Sequence, residues 1–141
     1  MTIEISEFDP SKDYDAIKDL MMLLTSHLKE EFNERQFRIT VSRRKADRIN
    51  RHGILLAKED DKVIGMIWGE ITLSKIGKIS NFIIKDGYRG KGIGNQLIQN
   101  IIDFFTKHKV NRIHANVRNM EKEGKLYEKF GFKKLFCTME R

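Results

Sequence analysis

Tyr88-Arg89-Gly90-Lys91-Gly92-Ile93-Gly94 is the stretch that decides the reading of this 141-residue chain. An apolar, strand-like run (Ile79, Phe82, Ile83, Ile84) leads into it, and a long apolar-periodic helix beginning near Ile93 leads out. Glycine lets the backbone take positive φ and come close to a ligand. The start of the helix leaves N–H groups without intrahelical partners, pointing at whatever anion lies there. Arg89 and Lys91 add positive charge at the same place. Three glycines and two cations where a strand turns into a helix describe a seat for phosphate groups.

Two well-known phosphate loops fail on spacing. A Walker A loop needs four residues between its first glycine and a Gly-Lys-Ser/Thr. Here Gly90-Lys91 is followed by Gly92, which offers no hydroxyl, and Gly87 stands too close. The dinucleotide fingerprint Gly-x-Gly-x-x-Gly, counted from Gly90, puts its last position on Asn95. What fits is Arg/Gln-x-x-Gly-x-Gly/Ala, present as Arg89-Gly90-Lys91-Gly92-Ile93-Gly94.

The rest of the chain reads as one α/β domain spanning residues 1–141. Ile3 to Phe8 alternates as a strand that ends at Asp9-Pro10. Ser11 opens a helix whose apolar positions Ile17, Leu20, Met21, Leu24, Leu28 and Phe32 run to about Glu34. Thr40 to His52 reads as a second, basic helix stopped by Gly53. Strands are expected over Ile54–Lys58 and Val63–Leu73, joined by a polar turn at Glu59-Asp60-Asp61-Lys62, and over Lys78–Ile84. The helix behind the glycine loop carries Leu97, Ile98, Ile101, Ile102 and Phe105 on one broad face. Arg112–Val117 is then a strand, Glu121–Phe130 a short helix ended by Gly131, and Phe132–Met139 the final strand. This order describes antiparallel hairpins plus one parallel crossover.

Composition narrows the function classes. Hydrophobic residues make up 40% and charged residues 33% of the chain, as in a globular domain. No apolar run approaches the ~20 residues of a membrane span, and Met1-Thr2-Ile3-Glu4 does not start a signal peptide. Cys137 has no partner for a disulfide, and the four histidines lack metal-ligand spacing. A cytoplasmic, metal-free protein is expected. The net charge of +7 is open to three readings: a nucleic-acid surface, the steering of an anionic cofactor, and a solvated lysine-rich face. The basic run Arg43-Arg44-Lys45 with Arg48 and Arg51 lacks interleaved aromatics, so nucleic acid is set aside as a partner.

A second motif follows the loop. Leu126-Tyr127-Glu128-Lys129-Phe130-Gly131-Phe132, preceded by Asn119, together with Arg89–Gly94, resembles the two signature elements of the GCN5-related N-acetyltransferases. The resemblance covers roughly residues 54–139. It implies the acyl-CoA N-acyltransferase fold, a mixed and mostly antiparallel twisted sheet flanked by helices. It also implies acetyl-CoA as cosubstrate, bound through Arg89, Gly90, Lys91, Gly92, Ile93 and Gly94 at the pyrophosphate. Phe82, Ile83 and Ile84 would meet the pantetheine arm through their backbone, with Asn119 and Tyr127 beside it. The strands around Ile83 and Arg118 are expected to splay apart to admit that arm.

The implied reaction is attack of a primary amine on the thioester in a ternary complex. The acceptor is a small amine, a polyamine, a lysine or a protein N-terminus. The ammonium must first lose a proton, its pKa being ~10.4 for a lysine-like amine. The oxyanion then needs a donor, and the leaving thiolate needs a proton. Tyr127 matches the family's acid. Many relatives carry a glutamate just ahead of the pantetheine-binding segment, where this chain has Ser80 and Asn81. Glu70 is the nearest strand carboxylate and is named as a catalytic candidate; His114 and a water held by Ser80 stay open as alternatives. The absent glutamate also leaves a non-catalytic acyl-CoA-binding or regulatory module as the competing reading. The Asn119–Leu126 interval is one residue longer than the family pattern, which puts the Asn119 contact in question. The final strand at the sheet edge admits a homodimer. Cys137 reads as a small buried residue.

Overall fold

The computed structural model describes residues 2–137 and 139–141. Five strands form one sheet in the order β1-β2-β3-β4-β5: Ile3–Glu7, Ile54–Glu59, Lys62–Ile71, Gly77–Ile84 and Ile113–Ala115. The first three pairings are antiparallel and β4–β5 is parallel, so the expected mixed, mostly antiparallel sheet is what forms. The β2–β3 turn is tight because Asp60 and Asp61 both take positive φ, at 49° and 66°. Such two-residue turns match the twist of a hairpin.

Helices cover both faces. Helix α3 (Ile93–Lys107) buries Ile93, Leu97, Ile98, Ile101 and Phe105 against Leu55, Ala57, Ile64, Ile67 and Ile79. Each fully buried aliphatic side chain there contributes about 1.5–3 kcal/mol, so this face outweighs the small propensity differences along the helix. The opposite face carries α1 (Tyr14–His27) and α2 (Glu34–Ala46), whose Ile17, Leu20, Phe37 and Val41 pack on Ile54, Leu56, Met66, Trp68 and Ile83.

Several boundaries differ from those read in the sequence. Helix α1 starts after Asp13 rather than Ser11, because the Asp9 carboxylate accepts from the backbone N–H of Ser11 and holds that residue in a turn. It ends at His27, where Lys29 takes φ 56° and the Glu30 N–H returns to the Thr25 carbonyl. The Asn33 side chain then caps α2 by accepting from Gln36 N–H. The predicted basic helix thus begins six residues early, and residues 35–39, left between the two expected helices, are helical. It stops at Ala46 because the Asp47 carboxylate accepts from the N–H groups of Ile49 and Asn50. A single 3-10 turn, Asn50–Gly53, completes the segment.

The C-terminal third departs most. β5 is three residues long, not six, and Phe132–Cys137 forms no strand. An isolated extended segment has no ladder to hold it, and Lys133-Lys134 adds nothing to a core. Leu135, Phe136 and Met139 are exposed, and so is Cys137 in place of the expected burial. The expectation of a final strand at Phe132–Met139 is therefore corrected over its described part, and Thr138 lies outside the described residues. The sheet edge at which a homodimer was expected to pair is left to β5.

Candidate active site

β4 and β5 are in register only at Gly77–Ile113, Lys78–His114 and Ile79–Ala115. Beyond that point β4 runs on to Ile84 while β5 has ended, so the β5-facing edge of Asn81–Ile84 has no strand partner. The cause lies in β4. Asn81 takes φ 49°, and the pairing with β3 shifts between Met66–Ile83 and Trp68–Ser80, leaving an extra residue in β4. A bulge of this kind bends a strand and increases its local twist. The gap that follows is the splay expected between Ile83 and Arg118.

Tyr127 closes the gap from the side of α4 (Lys125–Glu128). Its ring meets Phe82 edge-on at 6.0 Å and Phe132 at 5.2 Å, and it is 3% exposed. Burial pushes its hydroxyl pKa well above the ordinary tyrosine value, and the Glu123 carboxylate adds to the shift. Among the described residues the hydroxyl has no hydrogen-bond partner. It holds its proton at every physiological pH and is free to donate it.

The glycine loop sits at the end of β4. Gly90 and Gly92 take φ 77° and 80°, and a Cβ added to either would meet nothing within 4 Å. The positions are demanded by backbone conformation, and open space lies where a ligand would pass. Gly92 is the N-cap of α3, whose first N–H groups lack intrahelical partners. Gly94 answers a different need, since a Cβ there would lie 3.0 Å from Leu126 and 3.3 Å from Phe82, and its absence lets α3 approach β4 and α4. The cations are parked nearby. Arg89 donates to the Ile84 carbonyl at 3.1 Å, pairs with Asp86 at 3.5 Å and touches His27 at the end of α1, while Lys91 lies over the Tyr88 ring.

The segment from Asn119 to Tyr127 explains the irregular interval in the sequence. Glu123 and Gly124 N–H both reach the Asn119 carbonyl, at 2.9 and 3.1 Å, so Met120–Gly124 is a π turn. The additional residue is absorbed as one wide turn, and α4 resumes with Tyr127 in place. Such bulges recur at functional sites. The Asn119 side chain is occupied in capping, accepting from Glu121 and Lys122 N–H.

The two side-chain base candidates stand at the paired end of the strands. Glu70 is opposite Lys78, which is opposite His114, so the three form one row across the sheet. Glu70 pairs with Arg44 at 3.7 Å. Arg44 is a structural anchor: it is buried, donates to the Gly69 and Asn50 carbonyls and lies over Trp68 at 5.5 Å. Ser80 is exposed beside the bulge. The residues missed in the sequence are at the other end. Arg118, just past β5, pairs with Glu30 of the α1–α2 connection at 3.2 Å, and Glu123 is half-buried in the π turn, where burial raises its carboxyl pKa and Arg118 opposes the rise. The one-residue surplus after Asn119 was the only signal for them.

Among the described residues no group of His, Cys, Asp and Glu is arranged to hold a metal ion. No helix is long and apolar enough to cross a membrane.

Solved structures share this fold. Glucosamine-6-phosphate N-acetyltransferase from Arabidopsis thaliana superposes with a TM-score of 0.75 at 16% identity, over 100% of this chain and 98% of that one. A predicted acetyltransferase with acetyl-CoA from Clostridium acetobutylicum gives 0.77 at 16% identity, over 99% and 96%. AAC(6')-Iy in complex with the bisubstrate analog CoA-S-monomethyl-acetylneamine gives 0.78 at 12% identity, over 100% and 99%. At such identities the likeness establishes the fold. No curated protein matches the sequence. The profile of the Acetyltransferase (GNAT) family matches residues 16–132, and the chain belongs to that family.

Proposed function

We propose that the protein is an acetyl-CoA-dependent N-acetyltransferase that acetylates a primary amine by direct attack in a ternary complex. The observation that carries the reading is the β4 edge left open beyond β5, with the glycine loop following it and Tyr127 packed against Phe82 alongside it. Acetyl-CoA supplies an acyl group activated as a thioester. The residues present fit it. The free α3 N-terminus and the Gly90 and Gly92 amides suit the pyrophosphate, with Arg89 and Lys91 able to swing from their present contacts onto it. The unpartnered edge of Phe82–Ile84 offers backbone groups to the pantetheine amides, and one of its N–H groups suits the developing oxyanion.

Tyr127 keeps its proton in the ground state and donates a hydrogen bond to sulfur as negative charge develops there. Asn119 is not needed for this chemistry, since its carboxamide caps the π turn. Glu70 is better explained as the partner of Arg44 than as a base. Glu70→Gln is expected to leave the lower limb of the pH–rate profile unmoved, and loss of that limb would restore it to the mechanism.

Gly92→Ala tests the loop. Forcing alanine to positive φ costs about 1–2 kcal/mol. The expected result is an acetyl-CoA affinity lowered by about tenfold, read by calorimetry, with the sheet intact by circular dichroism. Unchanged affinity would remove the loop from cofactor binding. For the activity itself, free thiol released from acetyl-CoA is followed with spermidine, glucosamine, a lysine peptide and a peptide with a free N-terminus. Release that depends on one of these amines supports the transferase. Tight acetyl-CoA binding with no release for any of them would favour a binding module.

A further inference from the structure

We infer that the acceptor is a primary amine that also carries an anionic group, a carboxylate or a phosphate, and that Arg118 receives that group; this rests on the transferase reading above. With the phosphates of acetyl-CoA on the glycine loop, the amine has to reach the thioester from the volume beside Tyr127. A cleft of about 660 Å³ opens there. It lies between β5 and the residues that follow it, α4, and the C-terminal segment 132–137, and Tyr127 is one of its lining residues. The same tyrosine ring packs on Phe82 of the open β4 edge at 6.0 Å. Tyr127 is thus where the cleft meets the edge offered to acetyl-CoA.

The charge of the cleft is one-sided. Arg118, Lys133 and Lys134 line it against one carboxylate, Glu128. Lys133 and Lys134 form no ion pair among the described residues. Arg118 pairs with Glu30 of the α1–α2 connection at 3.2 Å, and both side chains are exposed. Water screens such a pair, so it is weak. The guanidinium is a planar fork of donors that fits a carboxylate or a phosphate with two parallel bonds. It can therefore exchange Glu30 for the anion of an acceptor. An additional ammonium, as in a polyamine, would meet three cations instead.

Val117, Met120, Phe132 and Phe136 give the cleft an apolar wall. Such a wall suits a hydrocarbon body carried between the amine and the anion. The acidic run Glu30, Glu31 and Glu34 does not reverse the balance. None of the three lines the cleft, and Glu34 is held by Lys18 at 2.6 Å.

The test compares matched amines on the full chain with acetyl-CoA: phenethylamine against phenylalanine, and ethanolamine against O-phosphoethanolamine, with spermidine as the polycation. In at least one pair the anionic member is expected to have a kcat/KM about tenfold higher, mostly through KM. The advantage should shrink as salt is added. The first pair reads a carboxylate and the second a phosphate. Arg118→Gln should bring the ratio within the favoured pair down toward one, and Arg118→Lys should restore part of it. Glu30→Gln should raise the ratio, because it frees the guanidinium; a purely structural ion pair would be lost alike in both variants and would shift the ratio the same way. Equal kcat/KM within both pairs, or a preference for spermidine or the uncharged members, would overturn the inference. So would a ratio that Arg118→Gln leaves unmoved. Thiol release with none of the five amines would instead overturn the transferase reading, and this one with it.

Discussion

Tyr127→Phe is expected to lower kcat about 100-fold while acetyl-CoA affinity stays within about threefold. The substitution removes one hydroxyl and keeps the ring that packs on Phe82 and Phe132 at 6.0 and 5.2 Å. Stability should therefore change little, because the aromatic contacts and the apolar area remain. What is lost is a proton donor with no other partner among the described residues. Because burial raises the hydroxyl pKa, Tyr127 should contribute no descending limb below pH ~10, the ordinary tyrosine value. A Phe variant with undiminished turnover would show that sulfur is protonated by solvent.

Asp13→Ala should give the largest loss of stability. Asp13 and Lys58 are both buried, and Lys58 Nζ lies 3.1 Å from one Asp13 carboxylate oxygen and 3.4 Å from the other. The same carboxylate accepts from the Asp9 N–H at 2.8 Å, which fixes the entry of α1. Removing it leaves an unpaired ammonium in the interior of the β2–α1 contact, and breaking such a pair costs about 3–5 kcal/mol. Whole domains are stable by only about 5–15 kcal/mol, so the midpoint of urea unfolding should fall by a large fraction. Adding Lys58→Met should return most of the loss, because an apolar side chain of similar length leaves no buried charge. A single variant as stable as wild type would mean that water solvates Lys58.

Both variants reach parts of the molecule that differ in how far they can be read from the chain. The α3 face, the β2–β3 hairpin and the glycine loop are local patterns, with period 3.6, period 2 and a spacing rule. All three were legible. The ends of α1 and α2 were not, because they are set by single carboxylates and carboxamides, Asp9, Asn33 and Asp47, competing for backbone N–H groups. Apolar periodicity runs straight through Leu28 and Phe32 and gives no sign of the break between them. The short β5 and the unpaired Phe132–Cys137 segment were misread for a related reason. Their alternation is strand-like, but a strand exists only where a neighbour supplies its ladder.

The site shows the same division. Arg89–Gly94 and Tyr127 stand in contiguous motifs, the loop following β4 and the tyrosine ring packing on Phe82 of its open edge. The surplus residue after Asn119 was visible in the sequence as a misfit. Its conversion into a π turn is set by the Asn119 carbonyl, and the pairing of Arg118 with Glu30 depends on contact between segments far apart in the chain. Glu70 attracted attention as the nearest strand carboxylate, and only the register shows it held by Arg44 at the paired end.

Coenzyme A is proposed to lie along the β4 edge with its phosphates on the glycine loop. At 16.6 kDa the protein suits a residue-by-residue amide titration by nuclear magnetic resonance. Adding acetyl-CoA should shift the Gly90, Gly92 and Gly94 amides and those of Phe82, Ile83 and Ile84 with one common affinity. Glu70 and His114, at the paired end, should stay near their free positions. Saturable shifts that spare the loop and the β4 edge would contradict the account.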